Sequence, residues 1–310
     1  MPLSESPHES STEPPTVPAG ASNASGYSAL GTEHRADPAT GPIGVFDSGL
    51  GGLSVLREVR RLLPDEDLIY FADSANCPYG TRPKAELRAL AMRIVVFLVA
   101  RRAKLIVVAC NTASVAALPA LRASFPVPFV GVVPAVKPAV ALSRTHRVAV
   151  LATPATFQGE MFADLLRNFA TGCEVIEQVC PGLVELVERG ETDGPEVQRL
   201  LAKYLRPALE AKADTVVLGC THYPFLRPVV ESIVGPGVCV VDSGEAVARQ
   251  VARVLDRDGL RRAALAGSQL VYYTSSSDLP RAADAIARLT GDPQPRVHYA
   301  NLPANTLQAR

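Results

Sequence analysis

Leu105-Ile-Val-Val-Ala-Cys110-Asn-Thr112 and Thr215-Val-Val-Leu-Gly-Cys220-Thr-His222 are two copies of one design, 110 residues apart. Each is an apolar run, then a cysteine, then small polar residues. Continuous β-branched runs of this length predict strands buried on both faces, which belong to parallel sheets. Similar runs end at Asp47-Ser48-Gly49, at Asp73, at Pro134, at Thr153 and at Asp242-Ser243. Between them lie stretches with helical spacing, at 85–103, 198–211 and 246–258. Alternating strands and helices predict an α/β fold. Asp47-Ser48-Gly49 and Asp242-Ser243-Gly244 read as a second matched pair of strand ends. The repetition predicts two pseudo-symmetric α/β domains with mainly parallel sheets, facing each other across a cleft. Ligands bind at the carboxyl ends of strands in such sheets, and the polar clusters all fall there.

The chain has 310 residues, 47% of them hydrophobic, enough for two domains. The expected division is a first domain of 41–137 plus 246–310 and a second of 138–245. Residues 1–40 are rich in Ser, Pro, Thr, Glu and Ala, and are expected to be a disordered tail. Lysine plus arginine equals aspartate plus glutamate at 31 each, so nothing points to nucleic acid as the primary partner. The longest apolar run, Ile94–Ala100, stops at Arg101 and Arg102, too short to span a bilayer. With no secretory signal at the N-terminus, a cytoplasmic protein is expected, its six cysteines reduced.

Cys110 and Cys220 each end a strand and are expected to open a helix, whose N-terminus lowers a thiol pKa from about 8.5. Asn111-Thr112 and Thr221-His222 follow as capping and hydrogen-bonding side chains. Cys77, Cys173, Cys180 and Cys239 lack that context and read as small hydrophobes. No metal site is expected, because His222 beside Cys220 has no spaced second ligand pair. No lysine sits at a strand end, as a pyridoxal phosphate enzyme requires. The glycine-rich Asp47-Ser-Gly-Leu-Gly-Gly52 departs from both nucleotide patterns: Ser54 stands where the dinucleotide fingerprint has glycine, and Leu50 where a P-loop has lysine. It reads as a turn into a helix whose N–H groups hold an anion such as a carboxylate, or as a turn alone.

Taken together, several ordered motifs resemble glutamate racemase, of the aspartate/glutamate racemase superfamily. They are Gly44-Val-Phe-Asp47-Ser48-Gly-Leu-Gly-Gly-Leu-Ser-Val55, Tyr70-Phe-Ala-Asp73, Cys77-Pro78-Tyr79-Gly80 and Val108-Ala-Cys110-Asn111-Thr112-Ala-Ser114. Cys180-Pro-Gly-Leu-Val-Glu-Leu-Val-Glu188-Arg-Gly190, Leu218-Gly-Cys220-Thr221-His222-Tyr-Pro224, Val241-Asp-Ser243 and Tyr272-Tyr-Thr-Ser275 continue the match across residues 42–302.

The resemblance implies cofactor-independent racemisation of glutamate for peptidoglycan synthesis. It makes Cys110 and Cys220 the catalytic thiols, with Asp47 supporting Cys110 and His222 and Glu188 supporting Cys220. Asp47, Ser48, Tyr79, Gly80, Asn111, Thr112, Thr221 and His222 become the substrate site. Cys110 takes the proton from D-glutamate and Cys220 from L-glutamate, and the enzyme is a homodimer. Aspartate racemases of the superfamily typically carry Glu in place of His222, and arylmalonate decarboxylase-like members keep one cysteine. Two rival readings remain, a racemase for another amino acid and a binding or regulatory protein acting on a partner such as DNA gyrase. Cys77 stands where the family often has an apolar residue, and Glu185 is a competing carboxylate near Glu188.

Overall fold

The computed structural model describes residues 38–263 and 267–302. Its strands are β1 (Ile43–Asp47), β2 (Leu68–Ala72), β3 (Leu105–Val108), β4 (Phe129–Gly131) and β5 (Arg147–Ala152). They continue with β6 (Glu174–Val179), β7 (Thr215–Leu218), β8 (Cys239–Val241), β9 (Leu270–Thr274) and β10 (Val297–Tyr299). All described pairings are parallel, in a six-stranded sheet β10-β9-β2-β1-β3-β4 and a four-stranded sheet β6-β5-β7-β8. The α/β class with parallel sheets is therefore as the sequence predicts. The chain leaves the first sheet after β4, builds the whole second sheet, and returns with β9 and β10.

β1, β2, β3 and β7 are buried from end to end, so every position can be apolar. Helices cover both faces. On the outer face of the first sheet, Lys84–Ala100 and Asn111–Ser124 cover Phe46, Phe71, Ile106 and Val108. On its inner face, Leu53–Leu62 packs against Gly244–Arg257. There Val45, Leu56, Val251 and Leu255 join Leu201, Leu205 and Val216 in one apolar cluster that runs from sheet to sheet. The far face of the second sheet buries Val148, Val150 and Val217 under Val136, Ala139 and Phe162.

The order β2-β1-β3-β4 is repeated as β6-β5-β7-β8. Each sheet thus has a switch point, between β1 and β3 in one and between β5 and β7 in the other, where connections leave in opposite directions and a crevice opens. Cys110 lies just beyond β3 and Cys220 just beyond β7.

The same topology corrects the second matched pair. Asp47 ends the first strand of its sheet, but Asp242 follows the last strand of the other, so Ala152 at the end of β5 is the counterpart of Asp47. Asp242 is occupied by Arg227 Nη2 at 2.5 Å and by Gly244 N–H at 2.8 Å. The tail boundary also moves. Pro38–Thr40 form a 3₁₀ turn, held where Lys104 Nζ donates to Ala39 O at 2.6 Å. The rest of the expected disordered tail lies outside the described residues. Among the described residues, no helix is long and apolar enough to cross a membrane.

Candidate active site

Asp47 is fully buried at the end of β1. Its Oδ1 accepts from Ser48 N–H at 2.6 Å and Ser48 Oγ at 3.2 Å. Its Oδ2 accepts from Gly52 N–H at 2.6 Å and from Thr221 Oγ1 at 3.2 Å, reaching from the other sheet's strand end. Burial still raises the carboxyl pKa, against the lowering effects of His222, a hydrogen bond with Cys110 and the Ser48 N–H. A carboxyl so raised is a better proton acceptor than an ordinary one.

Cys110 caps the helix Asn111–Ser124, its Sγ accepting from Ala113 N–H at 3.4 Å. The helix end was expected to lower this thiol's pKa, and the Ala113 bond does act in that direction. The net effect is the reverse. Burial and the neighbouring Asp47 charge outweigh one N–H bond and hold the thiol well above its ordinary value. This environment favours the neutral thiol of Cys110 over the thiolate.

Cys220 differs from the expectation in another way. No α-helix opens there. Thr221 and His222 turn the chain into a 3₁₀ segment, Tyr223–Leu226, before the helix Arg227–Val234. Pro224 and Pro228 sit in the first turns of these two segments, where their missing N–H groups cost least. Without a helix end, the nearest polar partner of Cys220 is a side chain: its Sγ lies 3.6 Å from His222 Nδ1. His222 Nε2 lies 2.6 Å from Glu188 Oε1. Burial opposes a charge on His222, but bonds to Cys220, Cys77 and Glu188 outweigh it and hold the imidazolium pKa well above 6.5. Glu188, the last residue of the helix Leu183–Glu188, is the carboxylate hydrogen-bonded to His222.

The loop 47–52 does hold carboxylates on its N–H groups, but they belong to the protein itself. Gly52 N–H binds Asp47, and Leu50 N–H binds Glu188 Oε1 at 2.6 Å. A Cβ on Gly49 would collide with the Glu188 carboxylate, and one on Gly51 with the His222 ring. Close approach, more than turn geometry, requires glycine at both positions.

Between the thiols lies a narrow cavity of about 20 Å³. Ser48, Tyr79, Gly80, Cys110, Asn111, Thr112, Cys220, Thr221 and His222 line it. The structure thus gathers all the expected site residues around one space, with Asp47 and Glu188 immediately behind the lining. Tyr79 is anchored from behind by donating to Asp73 Oδ2 at 2.5 Å. Asn111 Oδ1 is buried without a hydrogen-bond partner, an acceptor that calls for a donor from a ligand. No lysine or arginine is among the lining residues, so a bound anion would meet hydroxyls, amides and the open end of the helix Asn111–Ser124.

Sequence reasoning missed Thr153 and Thr156, which line the cavity opposite Thr112. Thr112 Oγ1 and Thr153 Oγ1 are 3.2 Å apart, and Thr153 Oγ1 and Thr156 Oγ1 are 3.1 Å apart. Thr153 follows β5 as Ser48 follows β1, so the strand end in Ala152-Thr153-Pro154 carried the signal. Ser54 was missed too. Its Oγ donates to Thr221 O at 2.8 Å and steadies the Cys220 turn from the opposite half. Cys77 is more than the small hydrophobe expected, because it lies beside His222 and Glu188. Burial pushes its thiol pKa up to about 11 against the lowering influence of His222.

The family model described as Asp/Glu/hydantoin racemase matches residues 43–251. A glutamate racemase of Roseiflexus sp. is 52% identical over 254 residues, covering 82% of this chain and 93% of that protein. Among solved structures, a glutamate racemase from Bacillus anthracis aligns with a TM-score of 0.78 at 32% identity, covering 85% of this chain and 98% of the other. The Escherichia coli glutamate racemase in complex with L-glutamate and an activator aligns with a TM-score of 0.74 at 35% identity, covering 84% and 97%.

Proposed function

The chain belongs to the Asp/Glu/hydantoin racemase family and within it to the glutamate racemases, and we propose that it interconverts L- and D-glutamate with two thiols as its acid and base. One observation carries the proposal. Cys110 and Cys220 stand at equivalent strand ends on one cavity, each with its own ionisable partner. An α-proton is a very weak acid. Inversion removes it from one face and returns a proton to the other, which a single base does poorly.

With D-glutamate bound, Cys110 passes its thiol proton to Asp47 and takes the α-proton. Cys220 then protonates the opposite face, and the imidazolium of His222, held by Glu188, restores the Cys220 proton. The L-to-D direction reverses these transfers. Ser48, Asn111, Thr112 and Thr221 hydrogen-bond the α-carboxylate and stabilise the carbanion as charge flows onto it. Tyr79 and Gly80 complete the substrate pocket. The chemistry uses only side chains of the protein, so no cofactor is required, and the product supplies peptidoglycan synthesis.

We assign the two sheets to two domains, 41–137 plus 246–310 and 138–245, and expect a cytoplasmic homodimer. Sedimentation equilibrium tests the dimer. A panel of L-glutamate, L-aspartate and other amino acids, run in D₂O without added cofactor, tests the reaction. Racemisation of glutamate alone, with deuterium at the product α-carbon, is the expected result. Preference for aspartate, or glutamate binding without turnover, rejects it.

A further inference from the structure

Cys77, His222 and Glu188 come from three separate segments: the loop after β2, the turn after β7 and the end of the helix Leu183–Glu188. A thiol sulfur, an imidazole nitrogen and a carboxylate oxygen from them lie within 4.8 Å of one another. No spacing in the sequence joins them, which is why a search for ligand pairs misses the group. We propose that these three side chains form an inhibitory binding site for a soft divalent cation of the zinc type.

Thiolate, imidazole and carboxylate are a zinc ligand set, and three protein ligands leave the fourth position for water. Metal–ligand bonds of about 2.0–2.3 Å in a tetrahedron put ligand atoms roughly 3.3–3.8 Å apart. Closing the site on an ion therefore asks for side-chain shifts of about an ångström. Entry is open, because Cys77 and Glu188 both line a surface groove with Leu50, Pro78, Arg189 and Arg281. Leu50 N–H already orients the Glu188 carboxylate, as an outer-shell donor does in built metal sites.

The cation takes the place of the proton now shared by His222 Nε2 and Glu188 Oε1 across 2.6 Å. The Cys77 thiol and His222 release their protons to solvent as it binds. His222 then cannot resupply Cys220, which sits 3.6 Å from its other nitrogen. The inhibition rests on the racemase reading, whereas the coordination does not.

The test loads metal-free full-length protein with Co²⁺ and follows thiolate-to-metal charge-transfer absorption, with Zn²⁺ as competitor. Racemisation is titrated with Zn²⁺ in parallel. Wild type is expected to develop the Co²⁺ band, lose it to Zn²⁺, and be inhibited reversibly, with a chelator restoring the rate. Cys77→Val is expected to lose the band and to need at least about tenfold more Zn²⁺ for half-inhibition, measured relative to its own metal-free rate. Cys77→Ser, which keeps the polarity and volume, is expected to lose the band as well. Failure of wild type to bind Co²⁺, or an undiminished band and unchanged inhibition in both variants, overturns the site. A protein without racemase activity that still shows the Cys77-dependent band retains the site and loses only the racemase reading.

Discussion

Cys110 has one backbone hydrogen bond and a buried carboxyl for a neighbour, while Cys220 has an imidazole backed by a carboxylate. Removing either thiol is expected to lower racemisation by about 10³-fold or more, since general acid–base groups contribute about 10²–10⁴-fold. The two losses should differ in what survives. Cys110→Ala keeps the base facing L-glutamate, so NMR in D₂O should detect α-deuteration of L-glutamate without inversion. Cys220→Ala should do the same for D-glutamate, and equal exchange of both enantiomers in either variant would contradict the facial assignment. The pH dependence follows from His222. Its folded pKa is raised above 6.5, so the stability it contributes is complete below 6.5 and is lost as pH rises through the folded value. Glu188→Gln removes one cause of that rise. The alkaline limb of kcat/KM with D-glutamate, which needs the His222 imidazolium, is expected to move to lower pH, while an unmoved limb would mean that His222 does not set it. Both cysteines were legible in the sequence because each ends an apolar strand. The sign of the Cys110 shift was not, because it depends on how deeply the thiol is buried, and depth is a property of the packed fold.

Readability followed the apolar run: the edge strands β4 and β8 were legible together with β1, β2, β3, β5 and β7, whereas β6, β9 and β10 were not. The interiors of β1, β2, β3, β5 and β7 are continuously apolar because neighbours cover both faces and both edges. β6, an edge strand, reads Glu-Val-Ile-Glu-Gln-Val and is half exposed, so its sequence resembles a surface loop. β10, the edge of the other sheet, spans only three partly exposed residues. Helix Gly244–Arg257 was visible in the sequence by its spacing, and its partner Leu53–Leu62 only through the glycine-rich turn that introduces it. That pairing is expected to carry much of the local stability. Leu255 is fully buried in it, and Leu255→Ala should cost about 2–5 kcal/mol, measured by denaturant unfolding. A cost below about 1 kcal/mol would mean that the helix pair is not a cooperative part of the core.

At the scale of the molecule, the first sheet is finished by the last strands of the chain. β9 pairs with the fully buried β2 and shields its edge. A chain truncated after Leu260 would leave β2 as an unprotected apolar edge, and such edges pair with other chains. It is expected to accumulate as aggregate, and soluble yield with size-exclusion chromatography checks this. A soluble, monomeric product would show that β9 and β10 are dispensable. The burial of both thiols, 5% exposed for Cys110 and 7% for Cys220, has a further consequence that concerns time. If the two thiols act as acid and base as proposed, each turnover would leave the empty catalyst in the protonation isomer suited to its product, not to the next molecule of substrate. With little solvent contact at either sulfur, resetting proceeds through the Asp47 and His222–Glu188 relays. The catalyst therefore carries a memory of its last turnover. That memory is expected to become the slow step at saturating concentrations, so an excess of one unlabelled enantiomer should drive a labelled tracer transiently away from equilibrium.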